Sequence, residues 1–92
     1  MRERDIERYL VAQTAAHGGE CRKVKWVGRN GAPDRLVMLP DRPAIWVELK
    51  ATGKKPEAHQ TREHMRMRAM GQTVAVIDSV EGVDNLLRGT GC

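Results

Sequence analysis

Three side chains near the middle of this 92-residue chain have the types and spacing to do chemistry: Asp34, Glu48 and Lys50. They lie in the stretch G-A-P-D-R-L-V-M-L-P-D-R-P-A-I-W-V-E-L-K, from Gly31 to Lys50. A tight Gly-Ala-Pro turn delivers Asp34 to the start of an apolar run, Leu36 to Leu39. A Pro-Asp-Arg-Pro turn then leads into a second run, Ala44 to Lys50. In an extended strand alternate side chains share a face. Trp46, Glu48 and Lys50 therefore fall on one side of the second run, and Ile45, Val47 and Leu49 on the other. A glutamate and a lysine projecting from an otherwise core-like strand are costly unless they are paired or hold a metal. If the two runs pair as a hairpin, Asp34 approaches Glu48 at one end of the sheet. Two carboxylates and one ammonium then converge, the makings of a reactive metal site.

The surrounding elements follow from periodicity. Residues 2–17 read as a helix, with Ile6, Tyr9, Leu10 and Gln13 or Ala16 at helical spacing and Gly18-Gly19 as its stop. Glu3 and Glu7 stand one turn apart on it and point the same way; a solvated helix face accounts for both on spacing alone. Cys21 to Val27 alternates as a half-buried strand does, with Val24 and Trp26 facing away from Lys23 and Lys25. Gly28 to Pro33 is a Gly-rich basic loop without the spacing of a P-loop, and Arg29 on it suits a phosphate-backbone contact leading into Asp34. After an exposed basic loop, Ala51 to Pro56, a second helix runs from Glu57 to Met70, with Pro56 leading it in and Gly71 closing it. The spacing predicts an apolar stripe of Ala58, Thr61, Met65 and Ala69, with Met67 and Met70 flanking it as core filler, and Gln60, His64 and Met67 or Arg68 following at helical intervals on the neighbouring surface. His59 and His64 are five residues apart, off the one-turn pattern of a metal pair, and read as packing or DNA-contact residues. Thr73 to Ile77 is a short strand, Val80 to Arg88 a terminal helix, and Gly89 to Cys92 a frayed tail. The order is α-β-β-β-α-β-α, an α/β fold in one domain, residues 1–92.

Composition bounds the possibilities. Apolar residues make up 40% of the chain and aromatics 3%, with no Phe, so the core must be aliphatic. A core this thin favours oligomerisation. The formal charge is +4 and the isoelectric point about 9.5, a balance that suits a phosphate-bearing partner without specifying one. Lys54, Lys55, Arg62, Arg66 and Arg68 make the second half strongly basic. Cys21 and Cys92 match neither a disulfide framework nor a zinc site and read as free thiols in a reducing compartment. No apolar run is long enough to span a bilayer and the charged start is no signal peptide, so a cytoplasmic location is expected.

Pro33-Asp34 before one strand and Glu48-Leu49-Lys50 on the next resemble the PD-(D/E)xK nuclease superfamily. Within it the chain looks most like the VRR-NUC family in its stand-alone phage and bacterial form. The carrying features are Glu3 on the first helix, the Gly31 to Asp34 turn, Val47 to Lys50, and Gln60 near the start of the following helix. A lone D…ExK is common by chance; the ordered set on matching elements is specific.

That resemblance implies a restriction-endonuclease-like αβββαβα core, with a small mixed sheet flanked by helices, and a Mg²⁺- or Mn²⁺-dependent phosphodiesterase acting on DNA. Asp34 and Glu48 would ligate the metal together with the backbone carbonyl of Leu49, and Glu3 would complete the site, with Glu7 as its rival. Lys50 would position or activate the attacking water or steady charge in the transition state. Gln60 would support the site or touch DNA, and Arg29, Arg35, Lys54, Lys55 and Arg62 would contact it. Hard divalent cations take carboxylate oxygens and acidify water, so the chemistry wants these same parts. The substrate expected of a short family member is branched DNA, a four-way (Holliday) junction resolved by a homodimer. Flap or nick cleavage by the same site, and a junction-binding module that does not cut, are the alternatives. A domain using these carboxylates in ordinary salt bridges is a third.

Overall fold

A computed structural model describes residues 1–89 of the chain. Its elements are α1 (Glu3–Ala16), β1 (Glu20–Lys23), β2 (Arg35–Met38), β3 (Ile45–Leu49), α2 (Ala58–Ala69), β4 (Thr73–Ile77) and α3 (Val80–Arg88). The expected tail from Thr90 to Cys92, with the Cys92 thiol, lies outside the described residues. The strands form one sheet in the order β1-β2-β3-β4. β1, β2 and β3 are successive antiparallel neighbours, and β4 runs parallel to β3, returned there by α2. The α/β order read from the sequence is the order observed, and β4 and α3 have the expected limits.

The two faces of the sheet differ in kind. On one, Ile45, Val47 and Leu49 of β3 pack with Val37, with Ile6 and Leu10 of α1, and with Val83 and Leu87 of α3. That is the aliphatic core, and it has the alternation expected of β3. Thr14 joins α1's buried face because its hydroxyl donates to the Leu10 carbonyl at 2.7 Å and needs no solvent. Ala16 is exposed, and Tyr9 is half-buried with its hydroxyl donating to Asp84 at 2.7 Å. At the ends of α3, Ser79 accepts from the Gly82 amide at 2.9 Å, and the Arg42 guanidinium donates to the Leu87 carbonyl at 2.6 Å.

On the opposite face α2 covers β3 with polar side chains. The expected stripe of Ala58, Thr61, Met65 and Ala69 is exposed throughout, and Glu63, His64 and Met67 are buried in its place. The reason lies beneath the helix: the sheet presents Glu48 there, so α2 turns hydrogen-bonding groups inward. Of the flanking methionines Met67 alone is core filler; Met70 is 71% exposed.

A second difference concerns β1. The expected strand to Val27 ends at Lys23, after Val24 has donated to the Asp34 carbonyl at 3.0 Å. Beyond it the chain leaves the sheet because α2 holds it from outside. Trp26 Nε1 donates to Glu63 Oε2 at 2.9 Å and Arg29 to Glu63 Oε1 at 2.8 Å. The loop comes so close that a Cβ on Gly31, at φ +91°, would sit 3.0 Å from Glu63 Cβ and 3.1 Å from the His59 carbonyl.

Candidate metal centre

The β2–β3 pairing carries Asp34 to the end of the sheet. Its amide donates to the Val47 carbonyl at 2.9 Å, and its Oδ2 accepts from the Leu49 amide at 2.7 Å. The backbone of β3 thus fixes both the position and the rotation of this carboxylate. Glu48, between Val47 and Leu49, points to the opposite face from those core residues and is 1% exposed. Gln60 Nε2 donates to its Oε2 at 3.1 Å, and Lys50 Nζ lies 3.5 Å from the same oxygen. Gln60 is itself anchored, because its Oε1 accepts from the Glu57 amide at the start of α2 at 2.8 Å. The elements therefore bring Asp34, Glu48, Lys50 and Gln60 together.

Electrostatics place Glu3 with them. Its carboxyl is raised above its ordinary value first by burial, then by the charge of Asp34, against the lowering influence of Lys50. Glu3 thus lies within the electrostatic reach of Asp34 and Lys50, although its side chain is exposed. Glu7 is engaged elsewhere, accepting from Arg35 Nε at 2.9 Å. Glu48 carries the largest perturbation: burial first, then Asp34, push its carboxyl up to about 7, with Lys50 opposing. Carboxyls raised by a neighbouring carboxylate are what a cation relieves.

The donor set fits a hard divalent ion. Glu48 Oε1 is buried with no hydrogen-bond partner. Among the described residues no three His, Cys, Asp or Glu side chains form a ready-made cage. Mg²⁺ does not need one, since it binds through one or two carboxylates and keeps water and phosphate oxygens as its other ligands.

The expected DNA contacts separate into two groups. Lys54, Lys55 and Arg62 are exposed and make no ion pair among the described residues. Arg29 is tied to Glu63 but 55% exposed, so part of its guanidinium faces outward. Arg35 is 14% exposed and committed to Glu7 and the Cys21 carbonyl, which leaves little of it for a phosphate.

His64 belongs to the centre although its spacing from His59 concealed it. Its ring is 1% exposed, and Nε2 lies 3.6 Å from Glu48 Oε1. The informative interval was four, from Gln60 to His64, which puts both side chains on one face of α2. Glu63 was also missed. It gathers Trp26, Arg29 and Arg66, the last at 2.8 Å, and its carboxyl lies below its ordinary value: burial raises it, but these donors more than offset that.

Comparison with known proteins bears on the fold and the family. No family model matches the chain. It is 48% identical over 79 residues to "Putative nuclease p44" of Acyrthosiphon pisum secondary endosymbiont phage 1, covering 86% of this chain and 85% of that protein. A solved structure described as "VRR_NUC domain" superposes with a TM-score of 0.86 at 41% identity, covering 94% of each chain. A carboxylate pair at the end of a mixed sheet, within a fold shared along nearly its whole length with such a domain, places this chain in the VRR-NUC family of nucleases.

Proposed function

We propose that the protein is a Mg²⁺- or Mn²⁺-dependent, structure-selective DNA endonuclease that resolves four-way junctions as a homodimer. The observation that carries the metal-dependent chemistry is Glu48: a buried carboxylate with one orphaned oxygen, beside Asp34 and facing Lys50. A nonpolar or purely structural role gives no reason to bury it there, because an unpaired carboxylate oxygen is costly away from water.

In this reading Asp34, Glu48 and the Leu49 carbonyl hold the ion, and Glu3 completes the site from α1. The ion, when bound, acidifies a water and neutralises charge gathering on the phosphate. Asp34 arrives oriented, because the Leu49 amide holds one of its oxygens. Gln60 fixes Glu48 from the α2 side. Lys50 keeps its ammonium beside Glu48 and steadies the negative charge of the phosphate in the transition state. Lys54, Lys55, Arg62 and the outward part of Arg29 grip the DNA backbone.

Two cuts related by symmetry are needed to resolve a junction, and one chain of this size supplies one site, so a C2 pair matches the substrate. β4 is an edge strand with Val76 41% exposed, and an apolar groove of about 470 Å³ runs beside it, lined by Ile45, Ala75 and Leu86 among others. An edge of this kind suits an isologous contact between copies. Among the described residues no helix is long and apolar enough to cross a membrane.

The test is a cleavage panel of four-way junction, flap, nicked and plain duplex DNA with Mg²⁺ or Mn²⁺, run with the wild type and Glu48→Ala. Paired cuts in the junction by the wild type alone, together with a dimer by light scattering, support the proposal. Preference for the flap or nick transfers the site to those substrates. Binding of the junction without fragments, equal in chelator and in Mg²⁺, makes the protein a non-cleaving binder.

A further inference from the structure

Glu48 has unequal surroundings at its two oxygens. Oε2 receives Gln60 and faces the Lys50 ammonium, whereas the nitrogen facing Oε1 is His64 Nε2, at 3.6 Å, with the Asp34 carboxylate also close to Glu48. Those two atoms, Glu48 Oε1 and His64 Nε2, are the buried side-chain polar atoms without a partner among the described residues. The separation is beyond hydrogen-bond length, yet both side chains are 2% exposed and neither can turn to water. His64 sits one helical turn after Gln60, so a single face of α2 supplies a donor to each oxygen of one carboxylate. A ring this deeply buried is disfavoured in its charged form and favours the neutral one, with a single N–H.

A neutral imidazole places that N–H on one nitrogen or the other. With Nε2 bare, an ionised Glu48 would set two acceptors facing each other in a dry pocket. With Nε2–H, a donor faces Oε1, and a small approach from 3.6 Å bonds the ring nitrogen while leaving that oxygen a lone pair for the cation.

We propose that His64 is a positioning residue of the metal centre: its Nε2–H donates to Glu48 Oε1 and, opposite Gln60 on Oε2, fixes the rotation of the carboxylate toward the cation shared with Asp34. This rests on the nuclease reading and extends it to the support of the ligand. Each carboxylate oxygen keeps a lone pair for the ion after accepting one hydrogen bond. Hydrogen bonds to a ligating carboxylate set its geometry and basicity, and losing one typically lowers metal affinity about 10- to 100-fold.

Two measurements on the full chain test it. Long-range ¹H–¹⁵N correlation on the labelled wild type reads the tautomer directly, with the Nε2–H form expected and its proton resonance moving on Mg²⁺ addition. Electron paramagnetic resonance of free Mn²⁺ gives the affinity of wild type, His64→Leu and His64→Gln. About a 10-fold or greater loss is expected for His64→Leu. Substantial recovery is expected for His64→Gln, whose amide can donate from the same helical turn. Should the leucine variant not fold, the tautomer and the glutamine variant decide. An Nδ1–H tautomer, wild-type affinity in His64→Leu, or a glutamine variant as weak as the leucine one each overturns the proposal while leaving the nuclease reading standing. Failure of the wild type to bind Mn²⁺ overturns both.

Discussion

Replacing Glu48 with glutamine should stabilise the metal-free protein while abolishing its chemistry. The carboxyl at this position titrates near 4.5 when unhindered and is pushed up to about 7 in the fold. Between those values the folded chain holds a proton there that the unfolded chain has released. The unfolding free energy therefore falls as pH rises through that window, because the native state binds more protons. At about 1.4 kcal/mol per pH unit, ionising Glu48 in the fold costs about 3 kcal/mol by pH 8. Glutamine has nearly the same shape, stays neutral and removes the repulsion with Asp34. In EDTA at pH 8, urea unfolding should show Glu48→Gln more stable than wild type by up to about 3 kcal/mol, the gap closing as pH falls toward 4.5. Adding Mn²⁺ at a hundred times its Kd should raise the wild type by about 2.7 kcal/mol and the variant far less. The difference between the two proteins isolates this residue from every other titrating group. A variant no more stable than wild type at pH 8, or a gap of constant size across the range, would refute the reasoning.

Four further outcomes follow from the geometry. Glu63→Ala strips Trp26, Arg29 and Arg66 of their shared acceptor and should cost about 2 kcal/mol, with a change in Trp26 fluorescence; wild-type contributions from Glu63 are lost as pH falls below the ordinary carboxyl value, since its folded pKa is depressed. Gly31→Ala forces a side chain into a left-handed conformation against α2 and should cost about 1–3 kcal/mol by urea denaturation. Lys54→Ala with Lys55→Ala should weaken junction binding and reduce the slope of log affinity against log salt by about one for each lysine. Arg35→Ala, by contrast, should leave that slope alone and lower the unfolding free energy by about 1 kcal/mol, because its partner is Glu7.

What could be read from sequence divides along the two faces of the sheet. The aliphatic face obeys simple alternation: Ile45, Val47 and Leu49 point at Ile6, Leu10, Val83 and Leu87, so β3, β4 and α3 were legible from apolar spacing alone. The Asp34, Glu48 and Lys50 constellation was legible for a related reason, since charge in a core-like strand has few uses. The α2 face was not, because hydrophobic periodicity assumes that helices bury apolar groups. Here the buried side chains are Glu63, His64 and Met67, and apolar Met65 is 63% exposed. The early end of β1 was hidden too: alternation from Cys21 to Trp26 is consistent with a strand, but it carries no sign of Glu63, distant in sequence, pulling Trp26 and Arg29 out of the sheet.

Those two misreadings have one physical origin, and it bears on how the site stays rigid in so small a protein. Apart from Met67, α2 buries little apolar area over the candidate site, so it is held mainly by directed bonds. Gln60 and His64 face Glu48, while Glu63, between them in sequence, faces outward to the 24–33 loop. The same turn and a half of helix therefore ties down the proposed metal ligand and the segment that ends in Asp34. Hydrogen bonds and ion pairs are directional where apolar contacts are not, so they fix orientation as well as proximity. That is what ligation requires, since a carboxylate rotated away from the ion contributes charge without coordination. The cost is a face whose stability depends on protonation: Glu48 weakens it as pH rises through about 7, and Glu63 as pH falls below the ordinary carboxyl range. The aliphatic side, with no titrating group in its core cluster, carries the fold through both limits. A variant that loosens α2 should thus lose metal affinity well before it loses the global unfolding transition, and hydrogen exchange should show the α2 amides opening more readily than those of α1 and β3.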